Sequence, residues 1–124
     1  MSLSFILTGN IGINPAIKFI GTLDAQPLVF KVNGNEVGKF GTNYSASFGS
    51  SVATGNNSVA LNNSNSSATN SLSAGVSNAS GNYSVAMGVS DASAEFAMAF
   101  GGYNISSGKY SFSSGNNTTA KSYS

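Results

Sequence analysis

A five-residue pattern, small–apolar–small–apolar–glycine, returns along most of this chain at a nearly fixed interval. It is read in Ser45-Ala46-Ser47-Phe48-Gly49, Ser58-Val59-Ala60-Leu61-Asn62 and Ser71-Leu72-Ser73-Ala74-Gly75. It continues in Ser84-Val85-Ala86-Met87-Gly88, Ala97-Met98-Ala99-Phe100-Gly101 and Ser111-Phe112-Ser113-Ser114-Gly115. The copies start at 45, 58, 71, 84, 97 and 111, at intervals of 13, 13, 13, 13 and 14 residues. Two more columns keep this register. A hydroxyl or small residue stands nine positions after each start (Thr54, Ser67, Ser80, Ser93, Ser106, Ala120), and an aromatic residue or Asn precedes each start (Tyr44, Asn57, Asn70, Tyr83, Phe96, Tyr110). Thirteen residues are too few for a helix pair, and the alternation inside each core has the period of two that marks a strand. The unit predicts two short strands and two turns, one coil of a β-solenoid. Coils stacked about 4.8 Å apart give a six-coil rod on the order of 29 Å long.

Composition fits that reading. Ser (24), Asn (16), Gly (15) and Thr (7) make up 62 of the 124 residues. Such a bias belongs either to a disordered linker or to a repeat whose turns are tight, and a linker has no reason to keep a register. The Gly that closes each core, replaced by Asn62 in one copy, supplies the positive φ that a corner demands. Positions one, three and five are small, so that face can sit against the opposite strand of a thin coil. Positions two and four carry Ala46, Phe48, Val59, Leu61, Leu72, Ala74, Val85, Met87, Met98, Phe100 and Phe112. On a lone rod these side chains form one apolar stripe, larger than a soluble monomer ordinarily exposes. Identical parallel rods meeting stripe to stripe around an axis would cover it; the alternative places the large side chains inside a wider coil.

The units Gly55-Asn56-Asn57-Ser58-Val59-Ala60-Leu61-Asn62 and Gly81-Asn82-Tyr83-Ser84-Val85-Ala86-Met87-Gly88 resemble the head repeats of trimeric autotransporter adhesins, the YadA-like head. The resemblance covers residues 41–124. It implies a left-handed parallel β-roll, three chains side by side and an attachment function. On that reading Phe48, Val59, Leu61, Leu72, Val85, Met87, Met98, Phe100 and Phe112 form the trimer interface. The interval is slightly shorter than that family's usual unit. No stretch reads as a neck, coiled-coil stalk or membrane barrel, so the expectation is a short fibre rather than an autotransporter.

Residues 1–40 differ in composition. They hold five of the nine charges (Lys18, Asp24, Lys31, Glu36, Lys39) and four of the eight Phe, which places a boundary near residue 41. The strings Gly9-Asn10-Ile11-Gly12-Ile13-Asn14-Pro15-Ala16 and Phe19 to Val32 are similar to segments that precede repeats in phage tail-fibre-like proteins and related bacterial surface proteins. Asn33-Gly34 between the strand-like runs Leu28 to Val32 and Glu36 to Phe40 is a strong hairpin signal. We therefore expect a small N-terminal β cap or attachment module over 1–40 and a β-roll of 13- to 14-residue repeats over 41–124, all-β throughout.

The residue inventory is poor in chemistry. The chain has no Cys, His, Trp or Arg, which removes disulfides, thiol nucleophiles, imidazole bases and nearly every zinc, copper or haem arrangement. A net charge of +1 without a basic cluster argues against nucleic acid. No apolar run approaches the roughly 18 residues of a membrane span. Met1 to Asn10, MSLSFILTGN, has no Lys or Arg ahead of its apolar run, unlike a secretory signal. Asp91 and Glu95, four apart, have no His, Arg or Cys to complete an acid–base or metal arrangement and read as solvated turn residues. Calcium-binding solenoids need an Asp in each repeat, and the Gly-rich segments lack the Lys or helix N-terminus of a phosphate loop. Of the Asn-x-Ser/Thr sequons at Asn43, Asn56, Asn62, Asn65, Asn78, Asn82, Asn104, Asn116 and Asn117, three (Asn43, Asn56, Asn82) arise because the repeat places Asn two residues before the core Ser, and stacked Asn in turns can bond one another and the backbone. Neither a cofactor nor an enzyme activity is expected.

Tyr44, Tyr83 and Tyr110, with Phe96 in the same column and Tyr103 nearby, form either a carbohydrate-binding surface or a packing contact between coils or chains. The expected function is a homotrimeric fibre on a phage virion, head or tail, docked on other virion proteins through the N-terminal module and presenting its repeats to a host surface glycan or envelope component. A head fragment of a bacterial surface adhesin is the second reading. An ice-binding solenoid is a third, weakened because Thr54, Thr69, Thr118 and Thr119 are too sparse for a regular Thr-x-Thr face.

Overall fold

The computed structural model describes residues 11–122 apart from Ile13 and Lys18. The first ten residues of the expected cap, with Gly9 and Asn10 of the quoted string, and Tyr123 and Ser124 at the end of the expected repeat region lie outside the described residues. Among the described residues all regular structure is β, twelve strands joined in one hydrogen-bonded sheet.

Strands β1 (Leu28–Val32) and β2 (Asn35–Phe40) pair antiparallel as a hairpin. Asn33 and Gly34 at its tip have φ of 49° and 77°, the two left-handed residues that a type I′ turn requires. From there the chain winds into a parallel β-solenoid of about six turns. One column of strands contains β3 (Ala46–Phe48), β5 (Val59–Leu61), β7 (Leu72–Gly75), the first halves of β9 (Val85–Ala92) and β10 (Met98–Ser106), and β11 (Phe112–Asn116). Its register joins Ala46, Val59, Leu72, Val85, Met98 and Phe112 in one row, so the sequence interval is the stacking interval. The second column contains β4 (Val52–Ala53), β6 (Asn65–Ser66), β8 (Asn78–Ala79), the second halves of β9 and β10, and β12 (Thr119–Ala120), with Ala53, Ser66, Ala79, Ala92, Ser106 and Ala120 in one row.

The interior between the columns is only one small side chain thick. Positions one and three of each core face inward and are buried: Ser45, Ser47, Ser58, Ala60, Ser71, Ser73, Ser84, Ala86, Ala97, Ala99, Ser111 and Ser113. They meet the inner row of the second column, and Ala79, Ala86, Ala92, Ala97 and Ala99 form the apolar centre. Where the facing residue is Ser rather than Ala, hydroxyls pair across the coil, Ser66 with Ser71 at 2.7 Å and Ser106 with Ser111 at 2.6 Å. The fifth position differs from the expectation. Gly49, Asn62, Gly75, Gly88, Gly101 and Gly115 stand on the bend with φ between 60° and 113° and do not line the interior.

A second polar row closes the bend. Ser64, Ser77 and Ser90 each donate to the carbonyl three residues back (Leu61, Ala74, Met87) and to one in the next coil (Ser73, Ala86, Gly101). The longer fifth interval is absorbed here. The register shifts between Gly102 and Asn104, which makes Tyr103 the added residue. Hence Ser106 aligns with Ala92, and Ser107 takes the place beside Ser93: Ser80, Ser93 and Ser107 donate their amides to Ala92, Ser106 and Ala120. This corrects the expected row that grouped Ser106 and Ala120 with Thr54, Ser67, Ser80 and Ser93.

The hairpin closes one end of the first column. β2 runs antiparallel to β3, with Gly38 opposite Phe48 and Phe40 opposite Ala46. Phe48 lies over Gly38, where any Cβ would collide with its ring. Phe30–Phe40 and Phe40–Phe48 meet edge to face at 5.9 and 5.7 Å, a geometry that adds roughly 0.5–1.5 kcal/mol per pair beyond area burial.

Candidate functional site

The solenoid offers three distinct surfaces. The first is the outer face of the first column. Strand alternation turns positions two and four away from the Ser/Ala interior; Phe48, Leu61, Met87, Met98 and Phe112 are exposed there, and Val59, Leu72, Val85 and Phe100 are half-buried. Phe100 and Phe112 touch at 5.7 Å. The large side chains do not occupy the interior of a wider coil. They form a stripe that runs the length of the repeat region.

The second surface is the turn corner. In each complete coil a four-residue turn precedes the core, closed by bonds such as Ser58 N to Gly55 O and Ser84 N to Gly81 O. Its third residue is left-handed, as a type II turn requires. That residue is the aromatic-or-Asn column: Tyr44, Asn57, Asn70, Tyr83, Phe96 and Tyr110 have φ between 55° and 62°. Asn tolerates this region, whereas for a bulky side chain it is an outlier. Three of the aromatics stack: Tyr83 on Phe96 at 4.8 Å and Phe96 on Tyr110 at 5.0 Å, with interplanar angles of 8° and 10°. Lys109 lies over the Tyr110 ring at 5.2 Å and pairs with Glu95 at 2.8 Å. Tyr44 is separated from this ladder by Asn57 and Asn70 and is 85% exposed. So the column holds a ladder between adjacent coils and one isolated ring.

The third surface lies on the opposite edge, along the outer face of the second column. An open trough of about 700 Å³ runs across the coils there. Asn65, Asn78 and Asp91 line it and share one register row. Asn65 donates to Asn78 and Asn78 to Asp91, each at 3.3 Å. Val52 and Ile105 continue this row at its two ends, Val76 and Val89 lie beside it, and Tyr103 stands near the Ile105 end, 71% exposed with φ 55°. Directly beneath, Asn104 is 1% exposed; its amide donates to Phe100 and Gly115 carbonyls, and its oxygen accepts from Thr118 N and Oγ1.

These placements separate residues that the sequence groups. Tyr103 belongs to the trough edge, away from Tyr44, Tyr83 and Tyr110. Asp91 is a strand residue bonded to Asn78, not a turn residue, while Glu95 is in the turn with Lys109; they serve different edges. Among the described residues no three His, Cys, Asp or Glu side chains converge. The sequence reading missed the trough. Its row, Val52-Asn65-Asn78-Asp91-Ile105, falls outside the repeated core and has no residue type common to all its members; only the interval, 13 residues and then 14 from Asp91 to Ile105, marked them as neighbours.

Comparison with known proteins is silent. No family model, curated protein or solved structure matches the chain. The repeat region thus presents three surfaces: one an apolar stripe, one a stacked aromatic corner, one a polar-floored trough.

Proposed function

We propose that this chain is a non-enzymatic fibre protein of a phage particle, a left-handed β-roll that assembles as a homotrimer and mediates attachment to the host cell surface. The apolar stripe carries the reading. The interior is filled by small Ser and Ala side chains, and Phe48, Leu61, Met87, Met98 and Phe112 are left exposed in line, a patch of the kind that marks an association surface. A second copy has the same pitch, so contacts made at one coil repeat at the next, and cyclic closure covers the stripe on every chain. The resemblance of the Gly81 to Gly88 unit to YadA-like heads supports three chains. The N-terminal segment supports the particle-bound form: Ile17, Phe19, Ile20 and Leu23 are exposed ahead of the hairpin and suit docking on other virion proteins. A head segment of a bacterial trimeric surface adhesin is the second reading, favoured by the same repeat units.

Light scattering tests the assembly. The expected mass is three times the 12.5 kDa chain, and a monomer mass overturns the trimer. Leu72→Asp or Met87→Asp should shift the mass to that of single chains, since each introduces charges with no partner against the apolar stripe. Adsorption of labelled wild-type protein to host cells then tests attachment.

A further inference from the structure

We propose that the trough is a binding site for a linear, neutral glycan lying along the rod. The proposal rests on the attachment reading and names what the fibre would hold. Three observations meet there. First, the floor is a run of side chains with spare hydrogen-bonding capacity. Each Asn carries two N–H donors and an acceptor oxygen, and a carboxylate accepts at both oxygens; the Asn65–Asn78–Asp91 chain uses one donor per Asn, the Asn78 oxygen and one Asp91 oxygen. What remains over three successive coils is one N–H donor each on Asn65 and Asn78 and free acceptor capacity on Asn65 and Asp91, groups spaced at the coil interval that suit a polymer bearing hydroxyls along its length. Bonding along the row also fixes the amides' orientation, so less is lost in ordering them on binding.

Second, Tyr103 supplies an apolar ring at the end of that floor. It is the residue inserted when the coil lengthens, and it is held at φ 55° with most of its surface in solvent. No ring packs against it among the described residues, unlike Tyr83 and Tyr110 in their ladder. A bulky residue kept in a costly conformation without a packing return is the kind of outlier that points to a binding role. In the next coil the equivalent position is Asn117, φ 57°, so the backbone does not need an aromatic there. A sugar ring presents C–H groups on its faces and hydroxyls at its rim, which fits a tyrosine ring beside an amide row. Rigid aromatic anchors of this sort dominate recognition energies.

Third, the charge of the lining selects the ligand. Asp91 is the one charged residue among the described lining of the trough, and no Lys accompanies it. Acidic sugars would be repelled. Val52 and Ile105 at the ends of the row, with Val76 and Val89 beside it, frame the polar residues with apolar surface that neutral pyranose faces can cover.

The test is an array of immobilised glycans carrying linear neutral hexasaccharides (β-1,4-glucose, α-1,4-glucose, β-1,4-N-acetylglucosamine) beside sialylated and uronic-acid chains, probed with the full chain. Retention on at least one neutral chain and none of the acidic ones is expected. Tyr103→Asn, which copies Asn117 and keeps the backbone conformation, should weaken retention at least roughly tenfold, about 1.4 kcal/mol. Asn78→Ala should do the same, and Glu95→Gln on the opposite edge should leave retention unchanged. Circular dichroism and particle mass equal to wild type establish that these variants are folded. Binding to none of the neutral chains, binding to acidic chains alone, or equal retention by Tyr103→Asn overturns the proposal. Cell adsorption separates the two readings: loss of adsorption by wild type itself defeats attachment, whereas adsorption that persists undiminished in Tyr103→Asn defeats only the trough.

Discussion

Asn104 does in the fifth coil what a serine hydroxyl does in the coils before it. Ser64, Ser77 and Ser90 reach a carbonyl in their own bend and one in the next coil, but Tyr103 makes the fifth bend one residue longer, and a hydroxymethyl group no longer spans it. The carboxamide does, bonding Phe100, Gly115 and Thr118 while fully enclosed. Asn104→Ala should therefore lower unfolding free energy by roughly 2–4 kcal/mol, because several buried backbone groups lose their partners at about 1–3 kcal/mol each. Ser77→Ala should cost about 1 kcal/mol, and Asn104→Ser should recover little. Denaturant midpoints measure all three; a smaller loss for Asn104→Ala than for Ser77→Ala would contradict the role given to the longer side chain. The interval of 14 announces an added residue in the sequence, yet not which one. Ser106 and Ser107 are the same residue type, so composition cannot tell the inward position from the turn, and only pairing with Ala92 distinguishes them.

The turn corner is a contest between backbone and side chain that the numbers decide. A left-handed conformation costs an ordinary L-residue about 1–2 kcal/mol, and Asn visits it more readily. Each stacked aromatic pair returns roughly 0.5–1.5 kcal/mol. Phe96 has two such pairs, at 4.8 and 5.0 Å, whereas Tyr44 has no aromatic partner among the described residues. Phe96→Asn should thus destabilise by about 1 kcal/mol despite relieving the backbone, and Tyr44→Asn should be neutral or stabilising by about 0.5 kcal/mol. Thermal unfolding of the two variants side by side checks the balance, and a stabilised Phe96→Asn would mean the ladder returns less than the left-handed backbone costs. The column was visible in the sequence, but its conformation was masked by Tyr and Phe, which are poor left-handed residues. Asn57 and Asn70 were the cue. The hairpin, by contrast, was fully legible, because Asn33-Gly34 has one low-cost conformation and two strands to join.

At the scale of the molecule, stability is assembled along one axis. Each coil contacts its neighbours through two parallel strand pairs, the interior is Ser and Ala apart from Asn104 in the fifth bend, and nothing large bridges distant coils. Repeat arrays of this kind behave as sums of units and interfaces, and what they cannot tolerate is loss of register: a slip of one residue turns every inward Ala outward. This is why the small residues at positions one and three made the faces legible, and why the trough, built from the variable row between cores, was not. The same logic sets a length rule. Deleting residues 58–70, one full unit, joins Asn57 to Ser71 and stacks Leu72 where Val59 stood, with the hairpin and the remaining coils unchanged in register. The product should fold as a five-turn solenoid with the same circular dichroism per residue and a lower denaturant midpoint. Deleting 59–70 instead leaves one extra residue at the start of a core strand, where no bend can absorb it as Tyr103 is absorbed at its corner. That variant should lose the β signal or unfold far earlier, and equal stability of the two deletions would show that the 13-residue register does not hold the rod together.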